Sequence, residues 1–89
     1  MQIKDVNVVN QVGLRSRRVA SIFVAKANSF DCEVSIRVNE RQINGKSLLG
    51  LLSGQIIGGM TITLITNGSD EEAAMEAITE LIESGFEGC

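Results

Sequence analysis

The chain has 89 residues, of which 8 are basic and 11 acidic, for a net charge of −3, and it contains no histidine. That length supports one domain with one small core, and the acidic balance supplies no basic field for nucleic acid. No apolar run is long enough for a signal h-region or a membrane span, so a cytoplasmic protein is expected.

Residues 2–9 alternate loosely, with Val6 and Val8 on one face and Asp5 and Asn7 on the other, and read as a strand that needs sheet neighbours. Gly13-Leu14-Arg15-Ser16-Arg17-Arg18 joins it to an amphipathic helix of roughly residues 16–27. In that helix Val19, Ala20, Ile22, Phe23 and Ala27 recur at helical spacing, while Ser21 and Lys26 fall outside the stripe. Ser16 reads most simply as the N-cap. Arg15, Arg17 and Arg18 oppose the helix dipole, each at a cost of about a few tenths of a kcal/mol unless an anion compensates. The four residues Arg15, Ser16, Arg17 and Arg18 are therefore a candidate site for an anion or a partner, where guanidinium and backbone N–H groups would converge. Asn28 and Ser29 stop the helix, and Phe30 is expected to fold back on the core.

Cys32, Val34, Ile36 and Val38 alternate strictly with Glu33, Ser35, Arg37 and Asn39, the clearest strand pattern in the chain. Asn39-Glu40 turns it into a short partner around Arg41–Asn44 with Ile43 inward, although an Asn-Gly turn is lacking. Ser47 is positioned to cap a short second helix carrying Leu48, Leu49, Leu51 and Leu52. Either all four leucines are core, or Leu51 points inward and part of the set Leu48, Leu49 and Leu52 forms an exposed docking patch. Gly58-Gly59 turns, and Met60 to Thr66 gives a fourth strand with Ile62 and Leu64 inward. After Asn67-Gly68, the run Ser69-Asp70-Glu71-Glu72 is a capping-box signature opening a third helix that buries Ala74, Ile78, Leu81 and Ile82. A single domain over 1–84 and a flexible tail over 85–89 are expected.

The predicted order is β-α-β-β-α-β-α: an open-faced α/β (α+β) sandwich, with a four-stranded, mostly antiparallel sheet covered on one face by three helices. Cys32 and Cys89 have no metal-type spacing, and read as a buried thiol and a tail thiol in a reducing compartment. No metal set, cofactor motif, paired carboxylates or nucleophile–base pair stands out, which argues against an enzyme.

Gly13-Leu14-Arg15-Ser16-Arg17 before an Ala-rich helix, together with Gly45-Lys46-Ser47-Leu48-Leu49-Gly50 at the second helix, resembles HPr, the phosphocarrier family of the bacterial sugar phosphotransferase system. The resemblance spans essentially the whole chain and implies the HPr-like sandwich. In that family a histidine stands at the position of Arg15 and relays phosphate from enzyme I, and a proline usually stands at that of Arg18. Gly13, Leu14 and Arg17 match. A guanidinium with a pKa above about 12 has no free lone pair with which to attack phosphorus, so Arg15 cannot relay. The resemblance therefore implies a histidine-less, Crh-like regulatory paralogue. Ser47 would be phosphorylated by an ATP-dependent HPr kinase, and Leu48, Leu49 and Leu52 would dock onto that kinase, a catabolite-control repressor or enzyme I. On the residues alone Ser47 reads as a cap and nothing more, and it is the resemblance that raises the phosphosite beside it. The alternative function is an anion- or metabolite-binding module, or a competitor of HPr for phosphotransferase partners, built on the arginine loop. Either a monomer or a homodimer is compatible with an exposed leucine patch.

Overall fold

The strictest alternation in the chain builds the middle of the sheet. In the computed structural model, which describes residues 1–9, 13–54 and 56–86, Val34, Ile36 and Val38 are buried while Glu33 and Arg37 face water. The elements are β1 (Gln2–Asn7), α1 (Arg17–Asn28), β2 (Glu33–Val38), β3 (Arg41–Asn44), α2 (Leu48–Ser53), β4 (Thr61–Asn67) and α3 (Glu71–Glu83). They follow the predicted order. The sheet runs β1-β4-β2-β3, and every pairing in it is antiparallel.

Register puts Val6 beside Ile62, and Ile36 between Leu64 and Ile43, on the face that the helices cover. Ala20, Phe23 and Ala27 of α1, Leu51 of α2, and Ala74, Ile78 and Ile82 of α3 complete this core. Burying each large side chain contributes about 1.5–3 kcal/mol. The opposite face is mostly polar, with Ile3 and Ile65 paired on it. There Thr63 Oγ1 donates to Asp5 Oδ1 at 2.8 Å and Thr61 Oγ1 to Asn7 Oδ1 at 2.7 Å across β1 and β4. Among the described residues no helix is long and apolar enough to cross a membrane.

The β2–β3 hairpin closes without glycine. Asn39 and Glu40 both take positive φ, 50° and 67°, the combination a two-residue hairpin loop needs to follow the sheet's twist. From β3, the Arg41 guanidinium donates to the Gly54 carbonyl at 2.7 Å and so completes the C-terminus of α2.

Three expectations at helix ends change. The capping box at Ser69 does not form: the N-cap is Asp70, and its side chain caps nothing in α3. Its carboxylate is drawn instead to the chain before β2, where Asp31 N–H and Cys32 N–H donate at 2.8 and 2.9 Å. Ser16 is the N-cap of α1 by position, but its hydroxyl makes no capping bond. Gly85 and Phe86, expected in the flexible tail over 85–89, are instead held against α3, and residues 87–89 of that expectation lie outside the described residues. Gly85 N–H donates to Ile82 O and Phe86 N–H to Leu81 O, with Gly85 at φ 72°, so α3 ends in a Schellman motif that buries Phe86. An apolar residue directly after Ser84-Gly85 was the overlooked signal. Leu81, expected in the core, is half-buried, and Met75 and Thr79 lie there instead. Cys89 lies outside the described residues.

Candidate functional site

Gly13 sets the geometry of the first loop. Its φ of 60° suits glycine, and a Cβ there would meet the Ile56 carbonyl oxygen at 2.4 Å. The chain needs that close approach, because Leu14 N–H donates to the same carbonyl at 2.9 Å and the Leu14 side chain is fully buried. Arg15 then emerges exposed, Ser16 half-buried, and Arg17 and Arg18 exposed. No acid stands in the first turn of α1. The arrangement is a rigid root with a cationic tip, on a helix start whose N–H groups carry partial positive charge. Beside Gly13, Ile57 is 43% exposed, an apolar surface residue that hydropathy patterning missed because it falls in a connection rather than in a periodic element.

The second loop is built from Asn44 onward. Gly45 N–H donates to Val34 O at 2.7 Å, Lys46 N–H to Asn44 Oδ1 at 2.9 Å, and Ser47 N–H to Asn44 O at 3.1 Å, a turn that delivers Ser47 to the start of α2. Ser47 Oγ accepts from Gly50 N–H at 3.1 Å, which makes it a working cap worth about 1 kcal/mol. Past it, Leu51 is fully buried and Leu49 is 79% exposed, with Leu48 and Leu52 half-buried against the core. A six-residue helix cannot hide leucines on every side. α2 packs on α1, so the leucine surface and the arginine loop belong to the same helical layer.

Two contacts tie this layer together that no local pattern announces. Lys46 Nζ donates to the Phe30 carbonyl at 2.7 Å, and Asp70 holds the N–H groups of the next two residues. Asp70 is held below the usual aspartate range, chiefly by the Asp31 N–H. Cys32 is a buried free thiol, as its place in the alternation predicts. Burial pushes its pKa up, and the neighbouring Asp70 carboxylate reinforces the shift, so it is a poor nucleophile.

Sheet order, anchored loop and short leucine helix together define an open-faced α+β sandwich with two loop-borne candidate sites on one helical layer. The family model described as the PTS HPr component phosphorylation site matches residues 3–84. The HPr-like protein Crh of Halalkalibacterium halodurans is 46% identical over 80 residues, covering 90% of this chain and 94% of the relative. Among solved structures, HPr-C-His from Thermoanaerobacter tengcongensis superposes with a TM-score of 0.91 at 32% identity, covering 97% of this chain and 96% of that one. Bacillus subtilis Crh, solved as a dimer with a swapped domain, gives 0.76 at 33% identity, covering 94% and 95%. The chain belongs to the HPr family of the sugar phosphotransferase system, and it does so without a histidine anywhere in its sequence.

Proposed function

We propose that this chain is a non-relaying, regulatory HPr-family protein of the cytoplasm that acts in carbon catabolite control through phosphorylation of Ser47. The observation that carries the reading is the loss of the nucleophile: the loop that presents a histidine in the family presents Arg15 here, and no imidazole exists elsewhere to replace it. Support also comes from Ser47, whose hydroxyl stands at the head of a short helix with the 79%-exposed Leu49 nearby. In the reaction, an HPr kinase transfers the γ-phosphoryl group of ATP to Ser47 Oγ; the hydroxyl proton leaves to a base and ADP departs. The product adds about −1.5 to −2 charges beside an apolar surface, so charge and leucines form one epitope for the kinase or a catabolite-control repressor.

A second reading is favoured by the exposure of Arg15 and Arg17 on a rigid root: the loop docks on the acidic surface of enzyme I and competes with HPr. Intact-mass spectrometry separates the possibilities. One added phosphate is expected with ATP and HPr kinase, none with phosphoenolpyruvate and enzyme I, and none in either reaction for Ser47→Ala. Uptake from enzyme I, or none from the kinase, would overturn the regulatory reading.

A further inference from the structure

Residues 30–32 are gripped from two sides by opposite charges. Lys46 Nζ donates to the Phe30 carbonyl at 2.7 Å, and the Asp70 carboxylate accepts from Asp31 N–H at 2.8 Å and Cys32 N–H at 2.9 Å. One grip comes from the residue directly before Ser47. Sixteen residues separate Lys46 from Phe30, so the contact is tertiary, and it links the second loop to the connection between α1 and β2.

Resting on the reading that Ser47 carries a phosphate, we propose that Lys46 is the residue that responds to it. Its ammonium leaves the Phe30 carbonyl for the phosphoryl oxygens, and the state of Ser47 is thereby read in the α1–β2 connection. The driving force is the difference between acceptors. A neutral carbonyl gives an ordinary hydrogen bond to an ammonium, whereas a phosphate of about −1.5 to −2 charges gives a charge-assisted one roughly twice as strong. A lysine is suited to the exchange: its charge sits on a flexible four-carbon stem and its three donors reorient freely. The cost is small, because the contact is only partly buried and water can replace the ammonium at the Phe30 carbonyl. Asp70 continues to hold Asp31 and Cys32, so the connection loosens at Phe30 without detaching. Phe30, half-buried against the core at the end of this segment, is the side chain freed to move.

Phosphoserine installed at position 47 during translation of the full chain provides the test, since no kinase is then needed. Phosphorylation is expected to shift the Phe30 carbonyl ¹³C and Asp31 amide resonances. Lys46→Met in the unphosphorylated protein should reproduce most of that shift, and phosphorylating Lys46→Met should move them little further. By ³¹P titration, the phosphoserine second pKa should lie about half a unit or more lower in the wild type than in Lys46→Met. Phe30 and Asp31 resonances that stay in place on phosphorylation, or equal ³¹P midpoints in the two proteins, would overturn the inference. Those results would leave the regulatory reading standing, whereas a kinase that ignores Ser47 would sink that reading and leave the lysine response intact.

Discussion

Asp70 takes two backbone N–H groups from a connection 38 and 39 residues away, so its ionised form is worth more in the folded chain than in the unfolded one. Its lowered pKa, due first to the Asp31 N–H, fixes the sign of the pH dependence. The contribution to stability is fully present above the unfolded value of about 4 and is lost as pH falls through the lower folded-state value. Asp70→Asn is therefore expected to unfold at a lower temperature than the wild type near neutral pH, with the gap narrowing in acid. Thermal unfolding across the acid range checks this, and a gap that stays constant would show that the charge is not what matters. Arg15 is the opposite case, a residue whose meaning comes from chemistry it lacks. Ser16 shares the loop, yet its hydroxyl leaves the start of α1 uncapped.

At the scale of the element, α2 divides its leucines between two tasks. Leu51 is fully buried, and Leu51→Ala should cost about 2–5 kcal/mol, the usual price of a core cavity. Leu49 is 79% exposed, so Leu49→Ala should change stability by less than about 0.5 kcal/mol while weakening capture by the kinase. Denaturant unfolding and a binding titration on the same two variants separate these effects. Equal destabilisation would mean that α2 does not present Leu49 to partners. α3 starts differently from α1. Glu71 accepts from Gly68 N–H and pairs with the Met1 amine, and that amine is the first cause of its lowered pKa. Acids therefore stand at the start of one helix and arginines at the start of the other.

Over the whole molecule, a net charge of −3 coexists with a local cluster of arginines at one end of the helical layer. That cluster follows a loop in which Leu14 N–H is anchored to the Ile56 carbonyl and Gly13 packs closely against it, neither contact involving the side chain of residue 15. Arg15→His should consequently restore a nucleophile to an intact frame. With enzyme I and phosphoenolpyruvate, the variant is expected to gain one acid-labile phosphate by intact mass and the wild type none. A variant that stays unmodified would place the block elsewhere in the loop, with Arg18, where the family usually has proline, as the first residue to exchange.

The sequence by itself determined the order of the elements, the inward faces of the strands, the burial of Cys32 and the cap at Ser47. These rest on period-2 and period-3.6 patterning and on contacts a few residues apart, which local chemistry dictates. It also carried the absence of histidine, on which the proposal of a non-relaying protein rests. Only the tertiary structure decided which leucine of α2 is buried, because helical spacing allows more than one rotation and packing on α1 and the sheet selects among them. The same holds for Asp70. Its sequence neighbours suggest a helix cap, but two N–H groups brought close by the β2–β4 pairing take the carboxylate instead. Lys46 and Phe30 meet for the same reason: folding brings a lone ammonium and a loop carbonyl within hydrogen-bond distance, and no periodicity along the chain encodes their pairing.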